Sequence, residues 1–293
     1  MNKKLFFIIN PISKRKAKLL ESEINNFFYL RKEEFIIQKS KDANDLKKIA
    51  LEAINSKPNV IIACGGDGTI NEVGQLIVGS KIKFGIIPIG SGNGVSNHLK
   101  IPYDFKKALE IIVSDSLKKM DVGKIEDRYF FSNVGFGIEV DFIKHYQSKN
   151  IHGLRGYFPA FFKSFRSYTA PNFVIELNNR KTTITPYVLI LANINEQGYG
   201  ISITPMAKSD DGILDLIMIK KTKPFVLLYY IIKILLGIMP KNEQNITRSK
   251  TKKVKLFSKN NDINVQIDGE FFLYNKSELE ISINSETIDV LCP

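Results

Sequence analysis

An aspartate stands inside a run of glycines at residues 65–69, Gly-Gly-Asp-Gly-Thr. The run follows an apolar segment of strand type at residues 60–63 and precedes a segment compatible with a helix. Glycines let the backbone approach a phosphate closely, and N–H groups at the beginning of a helix attract anions. A carboxylate there repels phosphate unless it holds Mg²⁺ or accepts a substrate proton. The pattern favours phosphoryl transfer centred on Asp67, with a glycine-rich turn capped by aspartate as the alternative.

A second glycine loop lies at residues 90–94, where Gly-Ser-Gly-Asn-Gly follows an apolar segment at residues 84–87. Ser91 offers a hydroxyl in this loop, and Ser40 follows another predicted strand. Because the carboxyl ends of parallel strands meet at one edge of a sheet, we expect both glycine loops and residues 10–13 to line one crevice. A chain reversal for Ser91 and a helix cap or ST-turn for Ser40 are the alternatives.

Two acidic turns lie late in the chain. Residues 210–212, Asp-Asp-Gly, combine carboxylates with turn carbonyls, which are the oxygen ligands that Mg²⁺ and Ca²⁺ take, and a plain Asp-Gly turn is the alternative. Residues 267–270, Ile-Asp-Gly-Glu, place two carboxylates around a glycine, where one could act as a general base toward a hydroxyl. By sequence alone, a hairpin turn is favoured at this second position.

The first third of the chain alternates between segments of strand and helix type, which is typical of a parallel sheet with crossover helices. We predict strands at residues 5–9, 35–37, 60–63 and 84–87. We predict helices after residues 10–13, Asp42 and Asp104. The apolar face of the first helix consists of Ala17, Leu20, Ile24 and Phe27.

Beyond residue 120 the pattern changes to short strands separated by turns. We therefore predict an α/β domain at residues 1–122, completed by residues 284–293, and an antiparallel β-sandwich at residues 123–283. An aromatic insertion at residues 142–168 includes a predicted helix around Phe161. The predicted sandwich strands are residues 118–125, 129–134, 173–177, 186–193, 214–220, 252–258, 263–268 and 279–283.

The composition is that of a globular protein of two domains, with 293 residues and two cysteines that have no metal-ligand spacing. The net charge of +12 favours an anionic partner. We do not expect nucleic acid, because the chain has no zinc-ligand pattern, no RNP-type aromatic motif and no basic helix with heptads. The apolar residues 5–9 are too short for a signal peptide, so a cytoplasmic location is expected.

Residues 225–239 form an apolar helix that is too short and too charged for a confident membrane span. Packing on the sandwich is favoured for it, and a membrane-facing helix is the alternative. A basic run at residues 241–255 follows. Such a run is usually a solvated face, but beside an apolar helix it predicts attraction to anionic lipid.

These motifs resemble those of the diacylglycerol kinase catalytic-domain family, which includes bacterial soluble lipid kinases and sphingosine and ceramide kinases. Residues 65–73 match its GGDGT-x-NEV motif, residues 10–13 its NP-x-S, residues 88–93 its P-x-GSGN, residues 211–212 its DG turn and residues 268–270 its DGE. The matches keep the family's order through nearly the whole chain. The resemblance implies an NAD-kinase-like α/β nucleotide domain, a β-sandwich lipid-substrate domain and an active site between them.

The resemblance also implies an ATP- and Mg²⁺-dependent kinase that phosphorylates a lipid hydroxyl. Asp67 would organise Mg²⁺ and phosphates, and Asp268 would take the proton of the acceptor hydroxyl with Glu270 beside it. A structural Mg²⁺ of some members would use Asp211 and the carbonyls of Lys208 and Ile213. The residues implied to contact ATP are Asn10, Pro11, Ser13, Ser40, Gly65, Gly66, Asp67, Gly68, Thr69, Ile70, Asn71 and Ser91.

Two positions depart from the family pattern. Lys14 stands where the family usually has glycine, so the first loop is less tight or uses the ammonium group on phosphate. Gly94 stands where many bacterial diacylglycerol kinases have aspartate, which makes this loop closer to sphingoid-type members and leaves the lipid open. The rival interpretations are an NAD kinase-like enzyme and a non-catalytic lipid- or nucleotide-binding regulatory protein. An anionic membrane surface is the expected partner, and a homodimer stays open.

Overall fold

The computed structural model describes residues 3–10, 13–147, 168–236, 238 and 244–293. The chain divides into two compact units. Unit 1 consists of Met1–Val122, Gly198–Gly200 and Ser285–Pro293, and unit 2 of Gly123–Gln197 and Ile201–Asn284. Gly198–Gly200, which the sequence analysis assigned to the second domain, therefore groups with unit 1.

The elements up to the boundary between the units are β1 (Lys4–Ile9), α1 (Lys14–Phe28), β2 (Glu34–Lys39), α2 (Ala43–Asn55), β3 (Val60–Gly65), α3 (Asp67–Gly74), β4 (Lys83–Pro88), α4 (Gly94–His98), α5 (Phe105–Ser114) and β5 (Leu117–Met120). Those that follow are β6 (Gly123–Ile125), β7 (Arg128–Phe130), β8 (Asn133–Gly135), α6 (Ile138–Gln147), β9 (Phe173–Leu177), β10 (Arg180–Ile184), β11 (Pro186–Ala192), β12 (Leu214–Lys220), α7 (Pro224–Leu235), β13 (Ile246–Thr251), β14 (Lys253–Ser258), β15 (Ile263–Ile267), β16 (Glu270–Tyr274), β17 (Glu278–Ile283) and β18 (Ile288–Leu291).

Unit 1 is built on a sheet with the strand order β2-β1-β3-β4-β18-β5. The strands from β2 to β18 pair in parallel, and β5 pairs antiparallel with β18. Every residue of β3 is buried, which explains its unbroken apolar sequence. The two glycine loops follow β3 and β4, neighbouring strands of this sheet, so the sheet sets the distance between them.

Helix caps in unit 1 are local. The side chains of Ser13, Asp42 and Asp104 accept hydrogen bonds from the first turns of α1, α2 and α5. The predicted apolar face of α1 packs on the core: Ala17, Leu20 and Ile24 are buried and Phe27 is half-buried against them, while the buried Phe28 was missed. With about 3.6 residues per turn, position 28 lies on the same face as positions 17, 20 and 24.

Unit 2 is an antiparallel sandwich of two sheets, with the orders β10-β9-β14-β17-β6-β7 and β13-β12-β11-β8-β15-β16. One apolar core includes Phe130 and Leu256 from the first sheet and Val134 and Leu216 from the second. The predicted fold class, an α/β domain followed by an antiparallel sandwich, is confirmed.

Two predicted strands are wrong in extent. Residues 118–125 divide into β5, in the sheet of unit 1, and β6, in unit 2. Residues 129–134 divide into β7 and β8, because a carboxylate and not a strand partner takes the backbone N–H groups of residues 131–133. The sequence analysis also missed β10, β13 and β16; β10 carries mostly exposed side chains, which hides the apolar alternation of a strand.

The helix predicted around Phe161 lies outside the described residues, as do Met239 and Lys241. Within the part of the chain that the structure describes, no helix is both long and apolar enough to cross a membrane.

Candidate functional site

The first glycine loop of unit 1 joins β3 to α3, and Asp67 is the first residue of the helix. Its carboxylate accepts two hydrogen bonds from the beginning of α4. Oδ2 accepts from the backbone N–H of Gly94 at 3.0 Å, and Oδ1 accepts from the N–H of Val95 at 3.1 Å. Asp67 therefore ties the first glycine loop to the second.

Close contacts require glycine at two positions, one within the first loop and one between the two loops. A Cβ atom on Gly65 would overlap the side chain of Thr69. A Cβ atom on Gly90 would lie 2.5 Å from Cα of Gly66 in the other loop. Any larger residue at position 90 would force the loops apart, because real Cβ atoms do not approach carbon this closely.

Burial raises the pKa of the Asp67 carboxyl group, and hydrogen bonds from the backbone of Gly94, Val95, Asn93 and Asp67 itself oppose that shift. A carboxylate offers about four lone-pair positions, and the N–H groups of Gly94 and Val95 take one on each oxygen. The remaining lone pairs fit a hard cation, which favours carboxylate oxygens. The arrangement thus combines a carboxylate that suits a cation with glycine loops whose backbone can approach phosphate oxygens closely.

Other residues predicted to contact ATP lie in and beside the same loops. The amide of Asn10, at the end of β1, donates from Nδ2 to Oγ1 of Thr69 at 3.0 Å. Ser40, at the end of β2, is buried, and its hydroxyl has no hydrogen-bond partner in the described structure. Ser91 is exposed. The predicted contacts that form backbone or helix positions of the first loop are Gly65, Gly66, Gly68, Ile70 and Asn71.

Three of the predicted ATP contacts are Ser13, Ile70 and Pro11. The side chain of Ser13 accepts a hydrogen bond from N–H of Lys16 and caps α1. The side chain of Ile70 is fully buried in the core, so only its backbone is available to a ligand. Pro11 lies outside the described residues.

The sequence analysis missed two features of the second loop. Asn93 is fully buried in the left-handed conformation, with φ of 50°, and its Nδ2 donates to the carbonyl of Gly90 at 2.8 Å. Asparagine tolerates this conformation better than most residues, which was the available signal. The N–H of Tyr199 donates to the carbonyl of Gly92 at 3.2 Å, a contact between residues too distant in sequence to be read from a motif.

In unit 2, Asp268 and Gly269 form the two-residue loop between β15 and β16, with φ of 47° and 86°. Positive φ at both positions is the pattern of a type I′ hairpin, so the hairpin favoured from the sequence is present. The Asp268 carboxylate accepts three backbone hydrogen bonds. They come from N–H of Phe131 at 2.7 Å to Oδ2, and from N–H of Ser132 at 2.8 Å and of Asn133 at 2.9 Å to Oδ1.

A buried polar network fixes this hairpin from the other side. Nε2 of Gln266 donates to Oδ1 of Asn133, and the N–H of Gly269 donates to Oε1 of Gln266 at 2.9 Å. The N–H of Asp268 donates to the carbonyl of Asn133 at 2.9 Å. Glu270, the first residue of β16, is exposed. The hairpin therefore holds Asp268 in place and presents Glu270 at its surface.

The predicted metal site is a turn before β12, where Gly212 has φ of 67°. Oδ2 of Asp211 lies 3.3 Å from the ammonium group of Lys250, which is also 3.7 Å from Oδ2 of Asp215. The carboxylates of Asp215 and Asp211 raise the pKa of Lys250. Oδ1 of Asp211 is buried without a hydrogen-bond partner in the described structure, an observation that fits a cation ligand.

The described residues contain no cluster of three or more His, Cys, Asp or Glu that could hold a metal ion. A cation at the turn would therefore rely on Asp211 and on carbonyl oxygens, as predicted for Lys208 and Ile213.

Glu139, in the first turn of α6, is a buried acid that the sequence analysis did not single out. Its Oε1 accepts from the N–H of Gly137 at 2.9 Å, and its Oε2 is buried without a hydrogen-bond partner among the described residues. Burial raises the pKa of Glu139 to about 8. The side chain is therefore mostly protonated at neutral pH.

Glycine loops after neighbouring parallel strands are a common phosphate-binding arrangement, and unit 1 thus has the architecture of a nucleotide-dependent enzyme. Comparison with known protein families identifies the family to which each part of the chain is similar. Residues 4–125 match the diacylglycerol kinase catalytic domain, and residues 132–291 match the YegS C-terminal NAD kinase beta sandwich-like domain. The chain belongs to the diacylglycerol kinase catalytic-domain family, and the resemblance found in its motifs is confirmed.

Individual relatives agree with this assignment. The chain is 28% identical over 227 residues to a diacylglycerol kinase of Staphylococcus aureus (strain Newman), a match that covers 76% of this chain and 71% of the relative. It is 31% identical over 177 residues to a diacylglycerol kinase of Staphylococcus haemolyticus (strain JCSC1435), covering 59% of this chain and 53% of the relative. The chain thus spans about half the length of the second relative.

A crystal structure of a diacylglycerol kinase from Bacillus anthracis str. Sterne has the same fold, with a TM-score of 0.77, 21% identity and coverage of 100% of this chain and 97% of that chain. Family membership supports lipid kinase activity in general, and a kinase of this family implies the use of ATP.

Proposed function

We propose that the protein transfers the γ-phosphate of ATP to a hydroxyl group of a lipid in a Mg²⁺-dependent reaction. The observation that carries the proposal is the pair of glycine loops joined by the Asp67 carboxylate. The relatives' name, diacylglycerol kinase, supports diacylglycerol as the acceptor. Gly94 in the second loop keeps a sphingoid-type acceptor as the second choice.

The loops of unit 1 bind and orient the phosphates through backbone N–H groups. Asn10 and Thr69 hold the first loop against β1, and the buried hydroxyl of Ser40 is a donor without a partner among the described residues. Mg²⁺, when bound, neutralises charge on the phosphate oxygens. Asp67 is the carboxylate of this unit that would hold the metal ion, through the lone pairs that the N–H groups of α4 leave available.

The acceptor hydroxyl needs a base, and the hairpin of unit 2 offers Asp268 and Glu270. Three backbone N–H groups take three of the about four lone-pair positions of the Asp268 carboxylate, which leaves at most one, on Oδ2, for a substrate proton. Glu270 is exposed two residues later. We therefore assign the proton transfer to Glu270 and the positioning of the hairpin to Asp268, a refinement of the role that the resemblance gave to Asp268.

The proposal includes a second Mg²⁺, or another hard cation, at the turn with Asp211 and the carbonyls of Lys208 and Ile213. Its role is to stabilise the turn before β12. The unpartnered Oδ1 of Asp211 supports it, and the ammonium group of Lys250 competes with it for the same carboxylate.

The proposed setting is the cytoplasm, with the enzyme bound reversibly to an anionic membrane surface and without a nucleic-acid partner. The net charge of +12 supports attraction to anionic lipid. A diacylglycerol or sphingoid acceptor is insoluble, so an enzyme that phosphorylates it works at a lipid surface.

The test is a phosphorylation assay with labelled ATP and three separate acceptors: detergent-dispersed diacylglycerol, sphingosine and NAD. We expect label in the lipid, with loss of the reaction when Mg²⁺ is chelated. Label in NAD alone would establish the rival NAD kinase-like interpretation. This rival is included because the family matched by the sandwich is described as NAD kinase beta sandwich-like. ATP binding without transfer to any acceptor would support the regulatory-protein interpretation.

A further inference from the structure

Helix α7 in unit 2 is apolar on two faces. Leu227, Tyr230 and Ile234 are buried and form one face, which packs with Ile219 of β12 and Ile138 of α6. The opposite face lies in solvent, with exposed fractions between 41% and 67%. It consists of Phe225, Leu228, Tyr229, Ile232 and Leu236. Their spacing of three or four residues places all five on one stripe of the helix.

The exposed stripe is unusual within this protein. Sixteen large apolar side chains are exposed in the described part of the chain, and six of them lie between Phe225 and Ile238. Single exposed apolar residues are normal on a protein surface, whereas a contiguous patch of them marks an interaction site. Within the described part of the chain, this face therefore has no packing partner.

The charges around this face have one sign. From Leu216 to Asn242 the sequence contains five lysines and no aspartate or glutamate. Lys220, Lys221 and Lys223 are exposed just before α7, and none of them has a carboxylate partner in the described structure. The partner of this face should therefore carry negative charge.

The later basic run is different, although the sequence analysis gave it the lipid-binding role. Lys250, Lys253 and Lys255 each lie within 3.3 Å of a carboxylate oxygen, from Asp211, Glu280 and Glu278 respectively. Their charges are largely balanced within unit 2. Of these two groups of described lysines, the one before α7 has no ion pairs and lies beside exposed apolar side chains.

We propose that the exposed face of α7, with Lys220, Lys221 and Lys223 at its beginning, is the surface on which the protein docks onto an anionic lipid membrane. The helix lies in the interface with its stripe in the acyl region and its lysines at the headgroups. A second copy of this chain fits less well, because an isologous contact would bring the same lysines together. The inference rests on the proposed function, which places the acceptor in a membrane.

The first experiment measures binding to vesicles without nucleotide. We expect binding to phosphatidylglycerol mixed with phosphatidylcholine at low salt, and weak binding to phosphatidylcholine alone. Ile232→Ser should bind at least about tenfold more weakly, because a large apolar side chain stays in water. The control Leu273→Ser replaces an equally exposed residue of unit 2 and should bind as wild type.

The second comparison separates the two groups of lysines. Changing Lys220, Lys221 and Lys223 together to Gln should weaken binding about 10²-fold, since each cation near an anionic surface contributes roughly fivefold. Lys252→Gln, a charge control with no ion pair in the described structure, should have little effect. Equal losses in both variants would overturn the assignment to α7.

The chain contains no tryptophan, so one substitution creates a unique fluorescent reporter. Ile232→Trp should show a blue shift when anionic vesicles are added, whereas Leu273→Trp should not. Equal shifts in the two variants, or no shift at position 232 under binding conditions, would overturn the proposal. A dimer in solution that Ile232→Ser dissociates would assign the face to a second copy instead.

Assays on detergent-dispersed acceptor separate this inference from the proposed function. Docking variants should keep full activity there and lose it on vesicle-embedded lipid. Activity without any vesicle binding would remove the docking surface and leave the kinase. Vesicle binding without phosphorylation of any lipid would keep the docking surface and remove the proposed kinase function.

Discussion

Asp67 in unit 1 and Asp268 in unit 2 both lie beside glycine and both accept hydrogen bonds from backbone N–H groups. They differ in how far along the sequence their donors lie. Asp67 bonds to residues 27 and 28 positions away, in the next strand-helix repeat. Asp268 bonds to residues 135 to 137 positions away, in the segment that leads from β7 of one sheet to β8 of the other. Asp268 also has a second carboxylate two residues later, whereas Asp67 stands alone in its loop. An aspartate beside glycine thus joins two neighbouring loops in unit 1 and two distant segments of the chain in unit 2.

The largest effect should come from Glu270→Gln, which keeps the size of the side chain and removes its basicity. We expect kcat to fall roughly 10²- to 10⁴-fold, the range for loss of a general base, while the KM for ATP stays near wild type. Steady-state kinetics with dispersed lipid measures both. A near wild-type kcat would return the role of base to Asp268.

Asp67→Asn comes next. The amide oxygen can keep one of the two N–H bonds from α4, but the charge is lost and the amide NH₂ faces the other donor. We expect a fall in kcat of about 10²- to 10³-fold, the cost of removing one charge-stabilising group. Circular dichroism should show an intact fold. Full activity of this variant would remove the first glycine loop from the active site.

Asp268→Asn should act mainly on the fold of the hairpin. One of its three N–H donors would lose its acceptor, which costs about 1–3 kcal/mol of unfolding free energy. Urea denaturation measures this loss. We expect kcat to fall much less than in Glu270→Gln, because the base is displaced but not removed. A fall in kcat without a fall in the free energy of unfolding would contradict the proposed role of Asp268 in positioning the hairpin.

Glu139 carries a third carboxyl group that accepts backbone hydrogen bonds, and we expect its replacement to affect stability alone. In the folded state its pKa is raised from 4.5 to about 8, so between these values the folded chain binds a proton that the unfolded chain releases. Its contribution to stability is therefore present below pH 4.5 and is lost as the pH rises toward 8. Since each pKa unit is worth about 1.4 kcal/mol, the loss can reach several kcal/mol.

Glu139→Gln removes this titration. We expect the variant to be more stable than wild type at pH 8 and to lose less stability between pH 5 and pH 8, the window set by the raised pKa. Urea denaturation at both pH values measures the difference, and activity at neutral pH is the control. An unchanged pH slope would mean that Glu139 is ionised in the folded state.

The features that the sequence predicts best are those whose partners are near in sequence. The glycine loops follow consecutive strands of one parallel sheet, so their meeting through Asp67 follows from the order of elements. The helix caps of Ser13, Asp42 and Asp104 are likewise local.

The features that the sequence analysis missed depend on contacts between residues that are far apart in the sequence. An acid in the first turn of a helix is usually solvated and complements the helix dipole, so nothing near Glu139 signals that the sandwich buries it. The three donors to Asp268 come from residues that the pattern assigned to one continuous strand. The same carboxylate interrupts that strand, so the wrong extent of the strand follows from hydrogen bonds that a local pattern does not reveal.

The sheet of unit 1 contains a strand from the far end of the sequence, since β18 lies between β4 and β5. During translation, the first 122 residues therefore leave the ribosome with a gap in their central sheet. N-terminal domains generally fold first as the chain emerges. Here the unit with the glycine loops is completed only when Ile288–Leu291 have been synthesised, so a nascent chain that stops in the sandwich has no finished nucleotide unit.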